Sequence, residues 1–467
     1  MQSLIISTLA EYQTRFWVPV GRALERRGLA VTFVSCDTLS TRMLAEAGLD
    51  VIDMTRSARL AALGSSDPEA VCTAFGIANP GPLLVHEKFA FAARDTAALL
   101  RKFAGGLLVA EQAIARARAK GDPIAVQELG GFVSVTALHH AARGAGIDSH
   151  FIEPSFFTGR MQIVTNTLGA LSLPGDARAP VSAAQADYFE SAVARGTVVI
   201  PQKDRHHYAG AAKKLLNPHN IKRLIEKTRD KHLLGAEQEF GAIGHHVATH
   251  LRMLASTARM RGHYSDLARL GRFIYYPLHV PGDVALTMRS REYCDQLALL
   301  DYLCRIAPPD MVIATKEHPA MIGAVPARGL LALKKRYDRL SIIAPTTNNY
   351  AVLRAAEKIV TVNSKSGAEA GLLGREVIVL GDAFYREAPF VRAVDRLCEL
   401  ETAIVEPPLA CDEDATRGFF AALWHRTRPG ELYANDGDNI ATFTGSLIAL
   451  LHPEARPAIR EPAALMA

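Results

Sequence analysis

Apolar and polar positions follow two alternating patterns along the first third of the chain. The apolar, β-branched runs Ser3–Ser7 and Ala30–Ser35 flank a segment of helical spacing, Arg15–Arg27, which Gly28 ends. This order predicts a strand, a helix and a second strand. The alternation continues, with further strands predicted at Val51–Asp53, Ile124–Val126 and His150–Ile152 and helices at Phe91–Phe103, Ala110–Ala119 and Val133–Arg143. Alternating strands and helices predict a parallel sheet covered on both faces.

The strand pattern stops at about Gly169 and starts again at Phe273. Between these points the sequence predicts one long helix, Gly235–Arg261, after a basic stretch. Five more apolar runs then predict a second doubly wound sheet: Phe273–Pro277, Met311–Lys316, Ser341–Ala344, Lys358–Val362 and Glu376–Leu380. We therefore expect an N-terminal domain over 1–168, a helical connecting region over 169–270, a second domain over 271–400, and C-terminal helices over 401–467 that pack back on the core.

Two Rossmann-like α/β domains facing a cleft form the arrangement known as GT-B. Glycosyltransferases and some sugar-nucleotide epimerases share this arrangement, so the fold does not choose between them. With 467 residues, of which 49% are hydrophobic, the chain is long enough for two full cores. No G-x-G-x-x-G turn follows the first strand, where the sequence is Thr8–Gln13 (TLAEYQ). A nicotinamide dehydrogenase is therefore not supported.

Positive charge is concentrated in one stretch. The net charge is +5, and Lys203–Lys231 contains nine Lys and Arg residues against three acids. Such a stretch with interspersed apolar residues fits an anionic membrane surface, and it fits a solvated helix face equally well. Nucleic acid is not expected, since no nucleic-acid-binding motif accompanies the charge. The sequence contains no apolar run long enough for a membrane span, so we expect a cytoplasmic protein, peripheral at the inner membrane.

A small polar loop follows the strand that ends at Val362. Its sequence is NSKSGAEA, from Asn363, and a helix is predicted to start near Ala368. Free backbone N–H groups at a helix start bind anions, to which Ser364, Ser366 and Lys365 add donors and charge, while Gly367 permits close approach. Glu369 is placed to accept hydrogen bonds from ribose hydroxyls. A simple N-cap by one of the serines explains the loop equally well.

A second candidate turn follows the strand Met311–Thr315. It consists of Lys316, Glu317, His318 and Pro319. Ligands of open parallel sheets bind beyond the carboxyl ends of the strands, and an imidazole there can hydrogen-bond a phosphate.

These two segments carry a resemblance to a known family. KEHP followed by VNSKSGAEAGLLGREVIVLGDAFY resembles the bacterial capsule polysaccharide biosynthesis family, over about Phe273–Tyr385. The family includes transferases of Kdo (3-deoxy-manno-octulosonic acid) that use CMP-Kdo. The resemblance implies that the nucleotide is held by His318, Ser364, Ser366, Gly367 and Glu369. Lys316, Pro319 and Lys365 belong to the same two segments.

The N-terminal half departs from the family pattern. Retaining Kdo transferases of this kind carry E-D-G-F, and the local match, Glu153–Phe156, is EPSF, with Pro154 in place of the nucleophilic Asp. A Gln common in the related branch is replaced by His279, four residues before Asp283. We expect Glu128, supported by Glu153, to provide the catalytic carboxylate, because each follows a predicted strand. Asp283 is the next candidate, although a helix cap or a salt bridge explains each carboxylate equally well.

The sequence therefore predicts a glycosyltransferase of capsule or lipopolysaccharide synthesis. The second domain would bind the nucleotide-sugar donor through the two motifs together with His279 and Asp283, and the first would bind a lipid-linked or polysaccharide acceptor. Glu128, Glu153 and His318 would be catalytic. We expect no metal and no cofactor other than the donor, and partners in the capsule synthesis and export machinery. The alternatives are an epimerase of the same fold and a noncatalytic component of that machinery.

Overall fold

The computed structural model describes residues 2–65, 67–197, 200–209 and 217–451, which form two α/β domains, each built on its own sheet. The strands are β1 (Gln2–Thr8), β2 (Ala30–Ser35), β3 (Val51–Asp53), β4 (Asp122–Glu128), β5 (Ser149–Pro154), β6 (Arg160–Thr165), β7 (Phe273–Pro277), β8 (Val312–Lys316), β9 (Leu340–Ile343), β10 (Lys358–Thr361), β11 (Val377–Val379), β12 (Val391–Ala393) and β13 (Thr427–Pro429).

The helices lie between and after these strands. They are α1 (Glu11–Arg26), α2 (Thr38–Glu46), α3 (Met54–Gly64), α4 (Pro68–Ala74), α5 (Val85–Ala90), α6 (Thr96–Arg118), α7 (Val133–Gly144), α8 (Ala183–Arg195), α9 (Pro218–Leu233), α10 (Ile243–Met260), α11 (Val284–Thr287), α12 (Gln296–Ile306), α13 (Ala327–Arg336), α14 (Asn349–Ala355), α15 (Lys365–Leu372), α16 (Leu400–Val405), α17 (Glu413–His425) and α18 (Gly437–Leu451).

The first sheet has the strand order β13-β6-β5-β4-β1-β2-β3. Strands β1 to β5 pair in parallel, as predicted. Strand β6 turns back antiparallel to β5, and β13 pairs antiparallel with β6. Both faces are covered: Leu4 and Ile6 pack in one apolar cluster and Ile5 in another.

The second sheet has the order β12-β11-β10-β7-β8-β9, with every pairing parallel. Its strands are buried on both faces, since Phe273 and Tyr275 contribute to one cluster while Ile274 and Tyr276 contribute to another. The predicted α/β fold with parallel sheets is confirmed. The cluster that holds Ile5 of the first sheet also holds Tyr275 of the second, so the two cores are continuous.

Two helix predictions are wrong. The segments Phe91–Phe103 and Ala110–Ala119 belong largely to one helix, α6. The long helix predicted from Gly235 begins only at Ile243. The residues before it bind the first domain instead: the backbone N–H of Glu237 donates to Thr55 O over 2.9 Å, and that of Glu239 donates to Cys36 O over 3.1 Å. Because these two N–H groups donate to the first domain, they are not available for hydrogen bonds within a helix.

The end of the described chain returns to the first domain. Strand β13 extends the first sheet beside β6, where Arg160 Nε donates to Thr427 Oγ1 over 2.6 Å. Helix α18 packs on α1, with the ring of Phe443 centred 4.9 Å from Phe16 and 5.7 Å from Trp17. No helix among the described residues is long and apolar enough to span a membrane.

Candidate active site

The two motifs found in the sequence lie on one side of the second sheet. The strands of this sheet are parallel, so their carboxyl ends share an edge. His279 follows β7, Lys316 and His318 end or follow β8, and Ser364 follows β10. In the strand order β10-β7-β8 these three strands are neighbours. The residues predicted from separate parts of the sequence are therefore brought to one edge.

Ser364 forms the cap of α15. Its Oγ accepts the backbone N–H of Ser366 over 3.2 Å, and the helix begins at Lys365 rather than near Ala368 as predicted. The serine cap shortens the loop, because it satisfies a donor in the first turn. Lys365 is exposed at the surface, yet desolvation by the surrounding protein lowers its pKa, an effect that the charges of Asp204, Glu153 and Asp283 oppose. Ser364 accepts the N–H groups of both Ser366 and Gly367, so it is the positive end of the helix dipole, together with this ammonium, that favours an anion at the same place.

Gly367 lies in the first turn of α15 against an aromatic ring. The hydroxyl of Tyr385 donates to Ser364 O. A Cβ placed on Gly367 would lie 2.2 Å from that hydroxyl oxygen, which is closer than van der Waals contact allows. Glycine is therefore required for the ring to pack against the turn.

His318 is a neutral imidazole with a defined tautomer. It is half-buried, and its burial lowers the pKa, an effect that the charges of Asp283 and Asp204 oppose. The backbone N–H of Ala320 donates to Nδ1 over 3.2 Å, so the ring proton lies on Nε2. Nε2–H can therefore donate to a ligand oxygen. The ring of Tyr208 lies 6.4 Å from the imidazole. Pro319 begins the short helical turn that orients the histidine.

Lys316 and Glu369 are both buried behind the edge, where the charge of each acts on the other. Burial lowers the pKa of Lys316 to about 8 and raises that of Glu369 to about 7. Lys316 Nζ donates to Thr347 O over 3.0 Å. Asn349 Nδ2 donates to Glu369 Oε2 over 2.7 Å and to Ser366 Oγ over 3.0 Å. One carboxylate oxygen of Glu369 is thus engaged, and a ribose role remains a prediction for the other.

His279 and Asp283 lie on the loop after β7. The backbone N–H of His279 donates to Gln296 Oε1 over 2.6 Å. Its ring nitrogen Nε2 is buried without a hydrogen-bond partner among the described residues, and burial lowers the pKa to about 4. Asp283 caps α11 by accepting the N–H of Ala285 over 2.9 Å. A neutral, unpartnered imidazole beside a carboxylate is a group that a bound ligand can satisfy.

Glu128 is enclosed by hydrogen-bond donors. Gln13 Nε2 donates to its Oε2 over 2.6 Å, Tyr433 donates to the same oxygen, and Lys203 forms an ion pair with Oε1. These partners come from α1, from the returning C-terminal segment and from the connecting region. Glu128 therefore joins three parts of the chain. Its ion pair with Lys203 agrees with the alternative expectation from the sequence, a structural salt bridge. In this arrangement both of its oxygens are already engaged.

Glu153 bridges the two domains. It ends β5 together with Pro154, and its Oε1 accepts Arg289 Nη2 of the second domain over 2.7 Å. Arg289 also donates to the carbonyls of Leu168 and Gly169, each over 3.0 Å. The other oxygen of Glu153, Oε2, accepts Arg289 Nη1 over 3.3 Å, so one arginine engages both oxygens of Glu153. The charge of Glu153 also opposes the lowering of the pKa of Lys365 by burial.

Several residues of this region were not predicted. Asn349 follows β9 at the same edge, so the strand-end rule that located His318 also points to it. No sequence motif pointed to Arg289, because its partners lie far away in the sequence. Asp204 and Tyr208 were counted only as parts of the basic stretch. In the folded chain this stretch connects the two domains: Lys203 pairs with Glu128 of the first domain, and the ring of Tyr208 lies near His318 of the second.

The basic stretch differs from the uniform surface that its composition predicts. Lys213 and Lys214 lie outside the described residues. Lys222 is exposed, whereas Arg223 is buried and its Nη2 donates to both carboxylate oxygens of Asp37, over 3.1 and 3.0 Å. Arg223 therefore does not belong to an outward basic face, because its charge is paired with Asp37 in the interior. Among the described residues, no group of three or more His, Cys, Asp and Glu side chains is arranged to hold a metal ion.

Comparisons with known proteins give one family and several distant structures. Residues 202–389 match the sequence model described as capsule polysaccharide biosynthesis protein. Protein FixF of Sinorhizobium fredii is 27% identical over 155 residues, which are 33% of this chain and only 37% of that protein. The chain thus matches little more than a third of the length of this relative.

Solved structures of low similarity include a transferase and an epimerase. The KpsC β-Kdo 2,7 transferase of Thermosulfurimonas dismutans is 13% identical, with 73% of this chain and 90% of that one covered and a TM-score of 0.34. The UDP-GlcNAc 2-epimerase of Methanocaldococcus jannaschii, in complex with UDP-GlcNAc and UDP, is 12% identical, with 91% and 99% covered and a TM-score of 0.27. The predicted resemblance is confirmed by the sequence match: residues 202–389, which contain both the His318 turn and the start of α15, match the model of the capsule polysaccharide biosynthesis family.

Proposed function

We propose that this chain is a glycosyltransferase of capsule or lipopolysaccharide biosynthesis that transfers Kdo from CMP-Kdo to a lipid-linked or saccharide acceptor. The observation that supports this most is the meeting of His318 and the capped start of α15 on one edge of the second sheet, with Lys365 exposed beside them. These groups offer hydrogen-bond donors and positive charge to one phosphate.

The donor phosphate would lie at the start of α15. The Nε2–H of His318, the positive end of the α15 dipole and the Lys365 ammonium would stabilise negative charge as the phosphate leaves the sugar. These groups would supply the charge stabilisation for which other transferases use a metal ion, so we propose no cofactor besides the nucleotide sugar. Gly367 makes room for the Tyr385 ring that packs on this turn, and Glu369 would accept a ribose hydroxyl.

A carboxylate of the first domain would act on the acceptor or on the anomeric carbon. The geometry favours Glu153 over Glu128 for this role, which reverses the order that the sequence predicts. Glu128 is held by donors from three separate parts of the chain, whereas Glu153 is held, among the described residues, by Arg289 alone and its charge acts on Lys365. Glu128 would then position the connecting region through Lys203, and Asp283 remains the candidate in the second domain.

Nucleotide release tests the proposal. The purified protein is incubated with CMP-Kdo or with UDP-sugars, with and without a saccharide acceptor. Acceptor-dependent release of CMP supports a transferase. Conversion of UDP-GlcNAc to its epimer without an acceptor would support the epimerase instead, and no turnover of any donor would support a noncatalytic component of the capsule machinery.

The two carboxylates are then compared in the active assay. Glu153→Gln keeps the shape of the side chain and removes its charge, so turnover should fall by about 10² to 10⁴. CMP affinity should change little, because the second domain holds the nucleotide. Full turnover of Glu153→Gln together with loss in a folded Glu128→Gln protein would restore the order predicted from the sequence.

A further inference from the structure

Helix α9 buries several of its charged side chains against the first domain. Arg223 is buried against Asp37, and Lys227 Nζ lies 3.2 Å from Asp37 Oδ2. Asp230 is buried as well, and its Oδ2 accepts the hydroxyl of Thr38 over 2.7 Å. The helix is therefore attached to the first domain through ion pairs and hydrogen bonds. This is the reverse of the usual surface helix, which buries its apolar side.

The apolar residues of α9 face outward. Ile225 is 66% exposed, and Ile221, one turn earlier on the same side of the helix, is 45% exposed. At the end of the helix Leu233 and Leu234 are 76% and 49% exposed. Isolated exposed apolar residues are common, but two on one side of a helix with two more at its end mark an interaction surface.

The neighbouring helix α3 carries two more exposed leucines. Arg59 of α3 donates through Nη1 to Gly235 O over 3.0 Å, which places the end of α9 beside α3. On α3, Leu60 and Leu63 are 66% and 73% exposed. We call the set formed by Leu60, Leu63, Ile221, Ile225, Leu233 and Leu234 the outer apolar row.

The charges around the outer apolar row are mostly positive. The exposed cations are Arg56, Arg59, Lys222, Arg229 and Lys231. Among the acids nearby, Asp230 is buried, Glu226 is half-buried and paired with Arg223, and Glu237 is exposed. Apolar side chains rimmed by Lys and Arg are the features by which a helix lies at the surface of an anionic bilayer, with its apolar side in the headgroup region.

We propose that the outer apolar row, with its basic rim, inserts into the surface of an anionic lipid membrane. The contact would be parallel to the membrane plane, with the isoleucines of α9 and the leucines of α3 below the headgroups. It differs from attachment by charge alone, because Arg223 is unavailable and apolar insertion supplies part of the affinity. The further statement that this brings the chain to a lipid-linked acceptor rests on the proposed function; membrane binding itself does not.

Sedimentation with lipid vesicles tests the proposal without donor or acceptor. The full chain is mixed with vesicles of phosphatidylglycerol and phosphatidylcholine, or of phosphatidylcholine alone. We expect binding to the anionic vesicles, weakened by salt. The variant Ile221→Ser/Ile225→Ser should bind them about tenfold less tightly, because two apolar side chains no longer leave water. Val405→Ser removes another exposed apolar side chain, on α16 of the second domain, and should bind as the parent does.

Further readouts separate the other outcomes. Melting curves and nucleotide binding of the Ile221→Ser/Ile225→Ser variant should match those of the parent, which distinguishes a lost surface from a lost fold or a failed nucleotide site. Equal vesicle binding by this variant and the parent would overturn the proposal. So would a dimer of the parent, seen by light scattering, that dissociates in the variant, because the row would then be covered by a second copy of the chain.

Discussion

At the scale of single residues, the environment of each polar group decides what it can bind. His318 illustrates this, because the N–H of Ala320 fixes its tautomer and leaves Nε2–H for a ligand. Its place at the carboxyl edge of the second sheet was predictable, because it follows a strand. The direction of its free nitrogen was not, since that direction depends on the turn formed by Pro319.

The first prediction concerns His318. His318→Ala should weaken CMP binding at least about tenfold, because a hydrogen bond to a charged group contributes about 1.5 to 3 kcal/mol. Titration calorimetry measures the affinity. His263→Ala, an exposed histidine after α10, is the matched control and should bind as the parent does. Unchanged affinity in a folded His318→Ala protein would remove this residue from the site.

The second prediction concerns the pH dependence of nucleotide affinity. Burial lowers the pKa of Lys316 to about 8, so its positive charge is present below that pH and is lost as pH rises through it. CMP affinity should therefore fall above about pH 8, where the phosphate remains fully charged. Lys316→Arg keeps its charge to pH values above 12 and should remove this decline. The same decline in both proteins would show that another group titrates.

At the scale of elements, apolar runs located the parallel strands of both sheets except β12, and missed the antiparallel strands β6 and β13. The parallel strands β1, β2 and β7 are long buried runs of apolar residues and were predicted within a residue or two. The strands β6, β12 and β13 were missed, since their pairing depends on partners that are distant in sequence. Helix α10 was predicted too long for the same reason, because the residues before it form hydrogen bonds with the first domain.

The third prediction compares two helical glycines. Gly367→Ala places a Cβ 2.2 Å from the Tyr385 hydroxyl oxygen, so it should shift the start of α15 and weaken CMP binding. Gly445→Ala in α18 meets no atom within 4 Å and should raise the free energy of unfolding by about 0.5 to 1 kcal/mol. Denaturant unfolding and calorimetry measure the two effects. Normal CMP binding by Gly367→Ala would contradict the close packing at this turn.

At the scale of the whole molecule, the relation between the two domains depends on contacts that no local pattern reveals. The sequence predicted two α/β units and a cleft. It did not predict that Arg289 would bind Glu153 across the domains, or that residues 202–209 would cross between them. Both follow from tertiary packing of loops, for which hydrophobic periodicity carries no information.

The fourth prediction concerns this interdomain contact. Arg289→Ala leaves Glu153 without its ion-pair partner, and it should lower the free energy of unfolding by about 3 kcal/mol, since both side chains are largely buried. Arg291→Ala, an exposed neighbour, should have little effect. In the double variant with Glu153→Ala the two losses should not add. Strict additivity in denaturant unfolding would show that the pair does not couple the domains.

The return of β13 to the first sheet has a consequence for how the chain folds during synthesis. Arg160 and Thr427, which join β6 to β13, are 267 residues apart in sequence. The ribosome therefore makes the whole second domain before the edge of the first sheet can be closed. Until then β6 presents unpaired backbone groups, a surface on which strands of other nascent chains can pair. The order of synthesis thus makes the first domain the first to form and the last to be completed.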